Sequence, residues 1–294
     1  MAHSHIIAGA GGGAAAPAVR KIGLADLKDA LSRGADDFLA MPTHAIFLCV
    51  IYPLIGLIAA RLAFGYSVLP LLYPLATGFA LVGPIAGVGL YELSRRREEG
   101  LETSASHAFD VLRSSSIGSI VALGLVLTVI FGLWMAVANA IYIGNFGYKP
   151  PASIVAFIHE VLTTQAGWNM IVVGNAVGFV FAAVALTLSV VSFPLLLDRD
   201  IGAAGALLTS IRAVAKNPLV MVAWGLIVAA LLFVGSLPFF IGLTVVMPIL
   251  GHATWHLYRK LVVADDSPRP TYRSEERVKR PAADFPAALF PWSK

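Results

Sequence analysis

Long, nearly uncharged apolar runs alternate with short mixed segments along this chain. A helix needs roughly 20 mostly apolar residues to cross the bilayer core. Six runs reach that length: residues 44–64, 68–91, 117–143, 168–197, 218–236 and 238–258. The third holds no charge, and the fourth is long enough to tilt or to extend past the bilayer. The last two share one apolar stretch, divided by the turn signal Gly235-Ser236-Leu237-Pro238. The pattern predicts an all-α, polytopic membrane bundle of six transmembrane helices.

A second period precedes each odd-numbered span. Leu24, Leu27, Leu31 and Phe38 share one helical face; Leu101, Ala105, Ala108 and Leu112 share another. Ile201, Ala204, Leu208, Ile211 and Ala215 form the third. These amphipathic segments are expected to bury their apolar faces at the headgroup boundary. Two of them reach a proline, at Met41-Pro42 and Asn217-Pro218, and proline suits the first turn of a following helix. The middle one meets Ser114-Ser115-Ser116 instead.

The spans also echo one another. Gly83-Pro84-Ile85-Ala86-Gly87 leads to Tyr91-Glu92-Leu93-Ser94-Arg95-Arg96. At equal offsets, Met247-Pro248-Ile249-Leu250-Gly251 leads to Trp255-His256-Leu257-Tyr258-Arg259-Lys260. Phe193-Pro194-Leu195 before Asp198-Arg199 is looser. The unit is an interfacial helix, an outward span and an inward span, repeated over about 20–98, 99–199 and 200–262. Units of one orientation argue against the inverted repeats common in secondary transporters.

Composition agrees with the pattern. Hydrophobic residues make up 58% and charged residues 13%, and the mean hydropathy is +0.80. A soluble domain is about 25% charged, so soluble, disordered, collagen-like and disulfide-scaffold classes are excluded. The one cysteine, Cys49, cannot form an internal disulfide. A net charge of +4 raises the question of nucleic acid, but the basic residues flank apolar runs, so no nucleic-acid partner is expected. Of 21 lysines and arginines, only Arg61 and Lys149 fall on one side of the predicted bundle. The positive-inside rule then places both termini in the cytoplasm. Residues 1–19 are Gly/Ala-rich without the apolar region of a signal peptide. They read as a disordered tail, as do the proline- and charge-rich residues 263–294.

Candidate chemistry is sparse. His252 and His256 stand four apart on one helical face, a spacing that suits a metal or haem but lacks further ligands, so they read as interfacial polar residues. Asn139, Asn169 and Asn175 are the polar side chains of spans three and four. They are candidates for helix–helix hydrogen bonds or for a polar pathway. Pro84, Pro194 and Pro248 are candidate hinges. Gly83 with Gly87 and Gly174 with Gly178 have small-residue spacing that permits close helix approach or a homo-oligomer contact. Residues 151–164 carry a short one-sided stripe, expected to form a helix flat on the outer leaflet, with His159 and Glu160 on its solvated face. Arg95-Arg96-Arg97 faces lipid headgroups. No phosphate-binding loop, metalloprotease motif or nucleophile elbow is present.

Residues 24–42, 84–97 and Ala108-Phe109-Asp110-Val111-Leu112 resemble a bacterial family of integral membrane proteins of unknown function. The resemblance spans about residues 20–262, and some members are labelled cytochrome c oxidase subunit I. It implies an inner-membrane protein and brings no catalytic residues. Haem–copper chemistry needs several membrane-buried histidines, and only His252 and His256 share a span. The sequence therefore leads to a non-enzymatic accessory or assembly partner of a membrane complex, respiratory complexes among the candidates. No catalytic, cofactor or metal site is expected; its partners are the bilayer and another membrane protein or a second copy. The alternative is a transporter or channel for a small or amphipathic solute.

Overall fold

The computed structural model describes residues 17–41, 69–148, 150–238, 240–265 and 267–272. Among them the chain is helical, and its only β pairing is two isolated antiparallel bridges, Val19 with Val262 and Ser114 with Tyr272. The helices are α1 (Leu24–Ala40), α2 (Leu72–Glu98), α3 (Ile117–Phe146), α4 (Ile154–Thr163), α5 (Gln165–Ser189), α6 (Ser192–Asp198), α7 (Gly202–Lys216), α8 (Pro218–Ser236) and α9 (Leu243–Leu261). A 3-10 segment, Ala105–Arg113, lies between α2 and α3.

Four stretches among the described residues are long and apolar enough to cross a membrane: Leu69–Glu98, Ile117–Phe146, Gln165–Asp198 and Pro218–Ser236. The first predicted span, 44–64, lies outside the described residues. The sixth, 238–258, only overlaps α9, which is not among the four; its second half carries His252, His256, Arg259 and Lys260 and lacks the uniform apolar character of the others. The turn signal at Gly235 does divide α8 from α9, and α8 has the bounds its pattern predicts.

Local chemistry accounts for several boundaries. Gly100, at φ +67°, ends α2: its N–H donates to the Arg97 carbonyl, and Leu101 N–H donates to that of Arg96. This pair of bonds satisfies carbonyls that the helix end leaves free. Ser153 Oγ accepts the Ala156 N–H at 3.1 Å and starts α4 where the one-sided stripe predicts a helix. α5 breaks from α6 at Val190–Val191. Pro194 follows as the third residue of α6; its ring would crowd the carbonyl of Val190, and it offers no N–H to bond there. Pro84 and Pro248, by contrast, sit inside continuous helices.

Packing is uneven along the bundle. Leu90 and Leu93 of α2, Phe193 and Leu195 of α6, and Trp255, Leu257 and Leu261 of α9 are buried at one end, the charged end. Farther along, Leu125 of α3, Phe179 of α5 and Leu226 of α8 are more than 60% exposed, as side chains meeting lipid tails would be. α1 packs along α9 at Gly34, where a Cβ would lie 2.6 Å from the backbone nitrogen of Ala253. Trp134 of α3 fits between Gly78 and Gly178 and donates its indole N–H to the Pro74 carbonyl at 2.9 Å. The expected glycine spacings contribute less: Gly174 has nothing within 4 Å, and Gly87 meets Tyr91 of its own helix.

The three amphipathic segments are present, and the faces they pack against the bundle are not the apolar stripes read in the sequence for the membrane surface. α1 buries Leu27, Ala30, Gly34 and Asp37 and leaves Leu24 exposed. The 3-10 segment buries Ala108 and Val111 and exposes Leu112. α7 buries Ala203, Ala206, Thr209, Ser210 and Ala213, while Leu208 and Ile211 face outward. Small side chains let helix backbones approach closely, so packing selects them over the larger apolar stripe.

The segment read as a C-terminal tail does not begin free at residue 263. Val263 N–H donates to the Ala18 carbonyl at 2.9 Å, and Ser115 N–H to that of Thr271 at 2.8 Å. Arg199 pairs with Asp265 at 2.6 Å. Sequence composition resembles a disordered linker here because the partners lie far away in the chain.

Candidate functional site

The packing of α1 on α9 carries Asp37 inward. It lies in register with Leu27, Ala30 and Gly34, on the face pressed against the bundle. Ser94 and Arg97 approach it from the last turns of α2, and His252 and His256, one turn apart, from α9. Ser94 Oγ lies 2.6 Å from Asp37 Oδ2 and 2.7 Å from His252 Nδ1. A carboxylate only accepts, so the single hydroxyl proton of Ser94 goes to Asp37 and its oxygen accepts from His252 Nδ1–H. His252 Nε2 is fully buried and has no hydrogen-bond partner among the described residues. His256 Nε2 donates to Asp37 Oδ2 at 2.9 Å, and Arg97 pairs with Oδ1.

Burial pushes the Asp37 carboxyl upward, but hydrogen bonds from His256 and Ser94 and the electrostatic attraction of His256 outweigh it. Together they hold the group below its ordinary value of 3.8. The charged form thus holds α1, α2 and α9 together.

Two further knots adjoin this one. Glu92, fully buried, receives two hydrogen bonds from Arg95, at 2.9 and 2.7 Å, and one from Tyr272 Oη at 3.1 Å. Asp198 accepts from Tyr258 Oη and from Arg259, which also reaches Glu98 at 3.0 Å. Trp255 Nε1 donates to the other oxygen of Glu98 at 2.9 Å. Beside the Asp37 knot opens a cleft of about 560 Å³ with Arg33, Asp36, Arg97, His256 and Arg259 on its walls.

The carboxylate–hydroxyl–imidazole chain can pass or hold a proton. Among the described residues no three His, Cys, Asp or Glu side chains are arranged to hold a metal ion. His252 and His256, considered as ligands in the sequence, are engaged by Ser94 and Asp37.

The asparagines are dispersed. Asn139 is exposed on α3. Asn169 of α5 donates to Asn145 of α3 at 2.7 Å, and Asn175 of α5 accepts from Tyr73 of α2 at 2.7 Å. Two of the three therefore join neighbouring helices, and the structure does not bring all three together. Glu160 and His159 are exposed on α4. Asp37 and Ser94 went unrecognised in the sequence, and Arg95, Arg96 and Arg97, expected to face lipid headgroups, pair instead with Glu92 and Glu99, with Asp110 and with Asp37. The available signal was an aspartate at helical spacing from Leu27, Ala30 and Gly34, a stripe otherwise apolar or small.

Bilayer-length apolar helices joined at one end by a buried, charge-paired head define an integral membrane protein. Residues 71–198, from α2 through α6, match a family described as predicted integral membrane protein (DUF2189), a family of unknown function. The expected family resemblance is borne out over that range, without the cytochrome c oxidase label. No curated protein and no solved structure matches the chain.

Proposed function

We propose that this protein is a non-enzymatic accessory or assembly partner of a membrane complex, respiratory complexes among the candidates, and that it presents its charged head to that partner. The reading places it in a bacterial inner membrane with six spans in three repeated units, the head and both termini being cytoplasmic. Lysine and arginine asymmetry supports that orientation.

The observation that carries the interaction role is how the head uses its polar groups. Asp37, Glu92 and Asp198 are buried and held by serine, tyrosine, histidine or arginine. Satisfied polar networks make a core rigid and unique. The rim around them, with Arg33 and Asp36, remains exposed and of mixed charge, which suits recognition of a complementary protein surface.

Purification from native membranes in mild detergent tests the role: a stoichiometric membrane partner is expected, and a persistently solitary protein refutes it. Reporter fusions test the orientation separately. A fusion after Lys260 is expected in the cytoplasm and an insertion at Lys149 outside; reversal at either position refutes the topology.

A further inference from the structure

The face that α7 turns outward carries information that the head's interior does not. Its inner face is fixed by specific bonds. Ser210 Oγ donates to the Thr187 carbonyl at 2.7 Å and accepts from Val191 N–H at 3.3 Å. The helix therefore cannot roll to bury its other side. That side consists of Ala204, Leu208, Ile211, Arg212 and Ala215, with Leu208 43% and Ile211 41% exposed.

Chain continuity fixes where this apolar face lies. α7 ends at Lys216, Asn217 follows, and Pro218 is already the first residue of α8, whose own outward side chains Leu219 and Val222 are 84% and 50% exposed. The outward face of α7 thus runs directly into the lipid-facing surface of a candidate spanning helix. Arg212 makes no ion pair with any described residue, so its guanidinium is free to reach a phosphate while its stem covers apolar surface.

We infer that the outward face of α7 is embedded in the headgroup layer of the bilayer, with Leu208 and Ile211 among the upper acyl carbons and Arg212 against phospholipid phosphates. The partner of this face is the membrane itself. The inference deepens the functional reading by dividing the head into a lipid-held side at α7 and a solvent-facing side that includes Arg33 and Asp36, and it rests on the reading of α8 as a span.

The test uses the full chain in vesicles of phosphatidylethanolamine and phosphatidylglycerol. In a Cys49→Ser background, single cysteines replace Leu208, Ile211, Lys28 or Leu226 and carry an environment-sensitive fluorophore. Nitroxide-labelled lipids and aqueous iodide then serve as quenchers. Labels at 208 and 211 are expected to be quenched by shallow nitroxide lipids at least about twofold more than the label at 28, with iodide showing the opposite order. Iodide quenching at 208 and 211 equal to that at 28 overturns the inference. Shielding from both quenchers also overturns it, because a protein partner or a second copy would then cover the face. Leu226→Cys separates the two failures: if its label is not quenched by deep nitroxide lipids, the spanning reading of α8 is at fault, whatever the labels on α7 show.

Discussion

Replacing Asp37 by alanine removes the acceptor on which three elements converge. Ser94 and His256 lose contacts of 2.6 and 2.9 Å, and Arg97 loses its ion pair. Removing one member of a buried ion pair costs about 3–5 kcal/mol, because the remaining groups stay buried without partners. The lower end applies here, since the Arg97 side chain is 41% exposed and can turn to water, whereas Ser94 and His252 cannot. About 3 kcal/mol corresponds to a fall of roughly 6–12 °C in melting temperature for a protein of this size. Scanning fluorimetry at one heating rate in one detergent measures it, with tryptophan emission as the signal. Asp37→Asn keeps an acceptor and should fall by about half as much, in line with the weaker bonds of an uncharged group. Asp36→Ala, an exposed neighbour, should change stability by no more than about 0.5 kcal/mol. Limited trypsin digestion adds a local readout: cleavage after Lys28 and Arg33 should accelerate in Asp37→Ala. If Asp37→Ala and Asp36→Ala melt together, Asp37 does not hold the head.

Three further outcomes follow from the same structure. Because Asp37 is held below its ordinary value, its contribution is present above pH 3.8 and is lost as pH falls through the lower folded value. The melting difference between wild type and Asp37→Asn should therefore persist down to about pH 4 and close only below it; a difference already gone at about pH 5 contradicts this. Gly34→Leu should separate α1 from α9, because even a Cβ there meets the Ala253 backbone at 2.6 Å; hydrogen exchange should then rise across residues 24–40 while α3 is unchanged. Asn217→Ala should cost about 1–3 kcal/mol, as its side chain accepts Ile22 N–H and donates to the Arg20 and Ala213 carbonyls, and a melting point within about 1 °C of wild type would show that those bonds are not needed.

The four candidate spanning helices were legible because lipid imposes one requirement on every residue of a segment. α8 has the predicted bounds, and α4 forms where a one-sided stripe predicts a helix. α9 was harder to read, since half of it is apolar and half enters the polar head. The Asp37 knot was hidden for a topological reason. Its contacts with Ser94 and His256 join positions 57 and 219 apart in the chain, and no local pattern records such a meeting. The faces that pack against the bundle were not legible for an energetic reason. Hydrophobic periodicity ranks leucine and isoleucine above alanine and serine, yet α7 packs through Ala206, Ser210 and Ala213, where small size permits close approach. Residues 263–272 show a third limit: a proline-rich, charged composition looks unstructured until Ser115, Glu99 and Arg199 are placed beside it.

The interaction role is tested most directly by comparing the wild type with an Arg33→Glu/Asp36→Lys variant, both purified from native membranes in the same mild detergent. Both positions are exposed on the cleft rim, so the variant changes the surface offered to a partner and leaves the Asp37 knot in place. The account predicts a stoichiometric membrane partner with the wild type and at least about tenfold less of it with the variant, at a melting temperature within about 1 °C of the wild type. A wild-type protein that purifies alone, or a partner retained equally by both forms, would contradict it.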